Sequence, residues 1–191
     1  ETTGLNLSHA LPWQCSFIIC TLTEILERHD YYIYWDKLNM SKGAAIVTGF
    51  NYNEYKAKAK DPKTVLEILE KYLMNEEIII AGHNLLGYDS MVHQTWRRQI
   101  GLDFDYSYLN RLIDTNALSK AYKKGIPIER NNLLAFQYKM ANFHERGLKS
   151  SLSTMAKEFQ IDFDERELHK GNKDVELNWE VWKKLVWAVE I

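Results

Sequence analysis

The chain has 191 residues, 46% of them hydrophobic and 13% aromatic, with a formal net charge of −2. That length suits one domain with a sizeable core and is short for two, and the composition excludes disorder. A near-neutral balance provides no global positive field, which excludes a protein that coats or slides along a polyanion by charge alone; any such contact must be local.

In chain order, Gln14 to Leu22 (QCSFIICTL) forms a β-rich apolar run and Tyr31 to Trp35 another, with the polar stretch Thr23 to Asp30 as a hairpin-type connection. Asp61-Pro62 announces a helix, an Asp cap followed by Pro at the first helical position. Val65, Leu66, Leu69, Tyr72 and Leu73 recur at helical spacing on it. Ile78 to Ala81 reads as a buried strand closed by Gly82 and Asn84, and a helix follows from about Leu85 to Ile100, ended by Gly101. Leu112-Ile113 is a short buried strand ending at Asp114-Thr115, which can cap a helix through about Lys123. The stretch Gly125 to Gly147 reads as a family-variable insertion with some helix. Ser150-Ser151 opens a helix to Phe159, and Asp174 to Glu190 is a final amphipathic one with a core stripe of Trp179, Trp182, Leu185, Val186 and Val189. Strands alternating with helices, without repeat or linker, predict a single α/β sandwich.

Cys15 and Cys20 lie five apart in one predicted strand, on opposite faces, so no disulfide is expected between them. With no other cysteine, a thiolate zinc site is excluded and a reducing, intracellular, cytoplasmic setting is the expectation. No apolar stretch approaches the ~20 residues of a membrane helix, and no signal peptide is read at the start.

Three short motifs carry the chemistry: Glu1-Thr2-Thr3-Gly4-Leu5, His83-Asn84-Leu85-Leu86-Gly87-Tyr88-Asp89, and His169 with Asp174. A phosphodiester attacked by water develops negative charge on its nonbridging and leaving oxygens. Two divalent cations about 3.5–4 Å apart can clamp the attacking and departing oxygens. Carboxylates are the hard oxygen ligands that suit Mg²⁺ or Mn²⁺. Clustered carboxylates repel one another unless a cation offsets their charge. An imidazole that titrates near neutrality is an efficient base for the water. Each motif alone has a bland reading: a terminal Glu is usually a solvated end, an Asn after a strand a turn former, and a lone His a surface residue. Their order and element types together make the case.

Glu1-Thr2-Thr3-Gly4-Leu5 resembles the first motif of the DEDD 3′–5′ exonucleases, usually written Asp-x-Glu-Thr-Thr-Gly-Leu. The stretch His83 to Asp89 resembles motif two of that family, and His169 with Asp174 is similar to motif three of the His-containing (DEDDh, DnaQ-like) branch. Asp114-Thr115 and Leu148-Lys149-Ser150-Ser151-Leu152 also sit as in that family. The resemblance implies a ribonuclease-H-like fold, a five-stranded mixed sheet flanked by helices. It implies that Glu1, Asp89 and Asp174 are the metal ligands, that Glu1 helps hold the terminal 3′ hydroxyl, and that His169 is the general base. Thr2, Thr3 and Leu5 would line the terminal nucleotide, Thr48 and Tyr88 would contact the terminal base, and Asn84 completes the expected substrate-binding set.

The family's first aspartate lies two residues before this glutamate, whereas the chain begins at Glu1. The expectation is therefore that this aspartate and the first strand lie upstream, and that residues 1–191 are one exonuclease domain of a longer polypeptide, such as a polymerase with a proofreading part. The implied activity is metal-dependent release of 5′-mononucleotides from single-stranded 3′ ends, in DNA proofreading, replication or repair. RNA trimming stays open, because contacts to the 2′-hydroxyl decide it. A catalytically lapsed module that holds a nucleic-acid end or a protein is the other alternative, with a structural domain of a replication complex as a weaker one. Lys120, Lys123, Lys124, Arg130, Lys139, Arg146 and Lys149 form a basic stretch, either a solvated face or a steering surface for the phosphate backbone.

Overall fold

The computed structural model describes residues 1–7 and 9–191. It opens with an antiparallel ribbon, β1 (Gln14–Cys20) against β2 (Ile25–Tyr32), in register from Gln14 opposite Tyr32 to Ile19 opposite Glu27, after which the register shifts and Cys20 lies opposite Ile25. β2 thus occupies the stretch expected as a connection, and the turn is only Thr21 to Glu24. There the Thr21 hydroxyl accepts the N–H groups of Thr23 and Glu24, each at 3.1 Å, and closes the reversal early. A ribbon open to water on one face needs no apolar run. β2 is held by polar and ring contacts: Asp30 accepts from Gln14 and Ser16 at 2.8 Å, and His29 stacks on Phe17 with centroids 4.4 Å apart.

Beyond the ribbon, Ile33 is fully buried and its N–H donates to the Trp13 carbonyl. Two helices that the sequence pattern does not announce follow, α1 (Lys42–Thr48), capped by Ser41, and α2 (Tyr52–Lys58), capped by Asn51. α3 (Pro62–Leu73) starts as expected, with the Asp61 carboxylate accepting the Thr64 N–H at 2.9 Å. Its Val65 and Leu66 pack with Ile33 and Trp96.

The short strand β3 (Ile80–Gly82) leads through a π-helical turn, Leu85–Asp89, into α4 (Ser90–Gln99). β4 (Leu112–Asp114) lies parallel to β3, pairing Gly82 with Asp114, and runs directly into α5 (Thr115–Lys124). Among the described residues the named strands form two two-stranded sheets, so the expected five-stranded mixed sheet is corrected to this smaller arrangement. The outer edge of β4 is covered instead by a side chain. Gln137 accepts the Asp114 N–H at 2.6 Å and donates to the Leu112 carbonyl at 2.9 Å.

Gln137 sits on α6 (Leu133–Ala141), inside the stretch expected as an insertion. That stretch belongs to the core, since Phe136 and Met140 pack with Ile113, Leu118 and Leu185. Burying a side chain such as Phe136 stabilises by roughly 1.5–3 kcal/mol. α7 (Leu152–Glu158) is capped by Ser151, and α8 (Gly171–Ala188) closes the fold. The inward stripe of α8 is Leu177, Val181 and Leu185, flanked by Trp182 and Val189. Trp179, expected in the core, turns aside to donate Nε1 to the Thr21 carbonyl at 2.8 Å, with the Lys183 ammonium 3.7 Å over its ring. Cys15 and Cys20 are both free thiols. No described helix is long and apolar enough to cross a membrane.

Candidate acidic active site

The site grows from the C-terminal ends of the parallel pair, where α/β proteins gather ligands. Asp114 ends β4 fully buried. Its Oδ1 caps α5 by accepting the N–H groups of Asn116 and Ala117, and also accepts that of Asn84, while Oδ2 accepts that of Leu86 at 3.0 Å. The strand end, the next helix and the π-helical turn are therefore gathered by one carboxylate. Asn84 adopts the left-handed conformation at φ 64° as β3 turns into this segment. A Cβ on Gly87 would sit 2.5 Å from the Asn84 Oδ1, so glycine lets the Asn84 side chain fold back over the turn. Asp89 is the last residue of that turn, a backbone type found often at functional sites.

Asp89 keeps one exposed face, yet protein surrounds it on the others. That surrounding pushes its carboxyl up to about 6, with the charges of Asp114 and Glu1 adding to the rise and the Glu1 ammonium opposing it. Asp174, in the first turn of α8, is also held above the usual carboxylate range, by burial first and by Glu1 in addition. The backbone N–H and the ring of His169 oppose that rise. Glu1 is anchored beside β1, its backbone nitrogen donating to the Gln14 carbonyl at 2.7 Å and its own carbonyl accepting the Trp13 N–H. Glu1 thus lies within electrostatic reach of both Asp89 and Asp174, which are remote from it in sequence.

His169 stands exposed before α8 in a left-handed conformation, φ 65°, and its N–H donates to both Asp174 oxygens at 3.2 Å. The helix that follows presses on the ribbon. A Cβ on Gly171 would meet the Ser16 hydroxyl at 2.5 Å, so glycine is what allows α8 to start so close to β1.

The residues expected to hold a nucleotide divide. The Thr2 and Tyr88 hydroxyls share a hydrogen bond at 2.5 Å, and both lie within hydrogen-bond reach of the Gly4 carbonyl, which ties the first motif to the second. Leu5 projects into solvent, 88% exposed. Thr3 is instead a structural tie: buried, it exchanges backbone and hydroxyl hydrogen bonds with Leu11. The Thr48 hydroxyl is occupied by the Ala44 carbonyl within α1, and Asn84 acts through its backbone at the turn.

Among the described residues no group of three or more His, Cys, Asp or Glu side chains converges closely enough to hold a metal ion. The donors nonetheless suit a hard divalent cation. Mg²⁺ is held by one or two carboxylates, waters and substrate phosphates rather than by a closed protein cage, and a carboxyl raised by burial and by the Glu1 charge, as Asp89 and Asp174 each are, is one whose charged form a cation would favour.

The basic stretch is largely committed elsewhere. Lys120 donates to the Ala141 and Phe143 carbonyls, Lys123 pairs with Glu158, Lys124 with Glu145 and Lys139 with Glu129. The solvated-face reading fits these partners.

Sequence reasoning misses the polar scaffold behind the acids. Asp114 reads as a helix cap only, and Gln137 carries no signal in its segment. His83 lies against the Thr115 hydroxyl at 3.2 Å, which donates to Asn178 at 2.7 Å, one turn beyond Asp174 on α8. Burial lowers the His83 imidazole to about 4, so it is neutral at pH 7. This chain of contacts joins the second motif to the helix of the third.

No family model and no curated protein matches the chain. Among solved structures it is similar to E. coli exonuclease I in complex with a dT13 oligonucleotide, with a TM-score of 0.74 and 18% identity over 97% of this chain and 39% of that chain. It is similar also to the zinc-ion-bound form of the E. coli exonuclease I complex with single-stranded DNA, with a TM-score of 0.75 and 18% identity over 100% of this chain and 40% of that one. A further exonuclease I structure, described as suggesting how processivity is achieved, gives a TM-score of 0.71 at 18% identity over 97% of this chain and 39% of that one. The chain thus spans about two fifths of the length of these neighbours. The fold is α/β and ribonuclease-H-like, that of exonuclease I.

Proposed function

We propose that residues 1–191 form a single domain of a 3′–5′ exonuclease of the His-containing DEDD (DnaQ-like) branch, hydrolysing phosphodiester bonds at single-stranded 3′ ends to release 5′-mononucleotides. The observation that carries this reading is an exonuclease I fold in which the π-helical turn ends at Asp89, the first turn of α8 bears Asp174, and the charge of Glu1 acts on both carboxyls. Glu1, Asp89 and Asp174 are the residues that would hold Mg²⁺ or Mn²⁺. Two such cations, when bound, supply the positive charge that offsets what develops on the phosphate oxygens. His169, exposed on its loop, takes a proton from the attacking water at a ring nitrogen. Tyr88 and Thr2 hold the Gly4 turn, so that Leu5 presents an apolar edge to the terminal base. DNA is the favoured substrate because the exonuclease I neighbours carry dT13 and single-stranded DNA. Replication or repair is the corresponding role.

The absence, among the described residues, of a ready three-ligand cluster favours a second reading, a fold that holds a strand end without cutting it. Incubating 5′-labelled single-stranded DNA and RNA with Mg²⁺, Mn²⁺ or EDTA separates these readings. Stepwise shortening that EDTA abolishes supports the enzyme, with the faster nucleic acid naming the substrate, whereas binding without shortening supports the holder.

A further inference from the structure

Behind the acidic site lies a buried pair that the proposed chemistry does not use, Asp114 and Gln137, each with no accessible surface. On its own, Asp114 as the cap of α5 would be an ordinary helix start. Two further facts separate it from one. Its Oδ2 faces away from the cap and accepts only the Leu86 N–H, inside the π-helical turn, while Oδ1 adds the N–H of Asn84 to its two capping bonds. In addition, the backbone of Asp114 is fixed on its outer side by Gln137, which takes the two hydrogen bonds a further strand would take, Asp114 N–H and Leu112 C=O. A π-helical turn is rare and is often found at functional sites, and here the two long-range bonds from Asp114 to Asn84 and Leu86 fix where it places its last residue, Asp89.

We infer that Asp114 and Gln137 are positioning residues for Asp89. Gln137 substitutes for a neighbouring strand on β4, and Asp114, held by it, clamps the amides of Asn84 and Leu86 so that the π-helical turn presents the Asp89 carboxylate to the cleft. The inference rests on the reading of Asp89 as a functional acid, and its backbone half stands independently of that reading. It also gives the 125–147 segment a purpose beyond core filling, since α6 carries the clamp.

Asp114→Asn is the discriminating variant. Asparagine caps a helix as well as aspartate does, and its Oδ1 can keep the α5 bonds, but its amide group would face the Leu86 N–H and cannot accept it. Gln137→Leu removes the strand-like bonds without adding charge. The measurement is residue-resolved amide hydrogen exchange on the full chain, with Mn²⁺ binding followed in parallel by the cation alone. In Asp114→Asn, exchange at Leu86 accelerates at least tenfold while Asn116 and Ala117 keep the parent's protection. Gln137→Leu accelerates Asn84 and Leu86 together. In both, Mn²⁺ affinity falls about 10- to 100-fold, as when an outer partner of a metal ligand is removed. Unchanged exchange at Leu86 in folded Asp114→Asn, or loss confined to Asn116 and Ala117, overturns the inference. Should the parent chain show no nuclease activity, the proposed function fails, yet the exchange pattern still decides whether the clamp exists. If Gln137→Leu does not fold, Asp114→Asn alone decides it.

Discussion

The backbone N–H of His169 donates to both carboxylate oxygens of Asp174, at 3.2 Å each. The loop that carries the proposed base is therefore fastened to the helix that carries a proposed metal ligand, and both oxygens already have a donor. A cation arriving at Asp174 competes with that N–H, so the position of the His169 ring is coupled to occupancy. His169→Ala should slow cleavage on the order of 10²- to 10⁴-fold, the usual contribution of a positioned acid–base group, while Mn²⁺ binding stays within a few fold of the parent. A calorimetric titration in which Mn²⁺ binding disappears as well would assign His169 to the metal rather than to the water.

Asp89 provides a stability test that needs no substrate. Its folded-state carboxyl lies near 6, above the ordinary 3.8, so the folded chain binds more protons than the unfolded chain between those values. Stability contributed by the protonated form is lost as pH rises through that window. Without divalent cation, Asp89→Asn should have a higher Tm than the parent at pH 7, and the two should converge near pH 4. Adding Mn²⁺ should raise the parent's Tm and leave that of Asp89→Asn nearly unmoved. A lower Tm for Asp89→Asn in EDTA at pH 7 would remove the electrostatic argument for the site.

His83 titrates in the opposite chemical sense but with its own window. Burial lowers its folded-state value from 6.5 to about 4, so the unfolded chain takes up the proton first. The contribution is fully present above 6.5 and drains away as pH falls toward 4. Replacing His83 by Asn should flatten the pH dependence of Tm across that interval. A curve unchanged in shape would mean that the imidazole is already open to solvent.

Far from the site, Glu70 anchors α3 to α4 by accepting from His93 at 2.9 Å and by pairing with Arg97. Burial tends to raise its carboxyl, but the His93 and Arg97 hydrogen bonds outweigh it and hold it below the ordinary 4.5. The contribution is present above 4.5 and is lost as pH falls through the lower folded value. Glu70→Gln should cost about 1 kcal/mol at pH 7, the upper end for an ion pair that is not fully buried, and less in acid. Urea unfolding at pH 7 and pH 4 checks the difference.

How much of this is legible in the sequence follows from which forces leave a local trace. The Asp61-Pro62 start of α3 and the Ser151 cap of α7 are written in a few adjacent residues, and both helices begin there. The segment 83–89 is readable as a strand end entering a helix, since Asn84 suits the left-handed turn there. β2 escapes such reading because its stabilising contacts, such as Asp30 with Gln14 and Ser16, are polar and cross-strand. The bonds of Gln137 to β4 escape reading in the same way, since its side chain lies 25 residues from Leu112 and no periodicity records the contact. The acids themselves are legible by motif, whereas Asp114 shows only as a cap because its bonds to Asn84 and Leu86 are long-range.

Gly171 offers a steric test of how α8 is seated. Alanine there would meet the Ser16 hydroxyl at 2.5 Å, and overpacking of this kind costs about 1–3 kcal/mol. Gly171→Ala should lower both Tm and cleavage rate by shifting Asp174, and adding Ser16→Gly should recover part of each. Equal stability of Gly171→Ala and the parent would show that α8 can start farther from the ribbon.

The most direct measurement follows 5′-labelled single-stranded DNA with Mn²⁺, comparing the parent chain with Asp174→Ala. The account predicts products that shorten one nucleotide at a time from the 3′ end, stop in EDTA, and form at least on the order of 100-fold more slowly in the variant, the upper end of what losing even an outer partner of a metal costs. Equal rates for parent and Asp174→Ala, or shortening from the 5′ end, would contradict it.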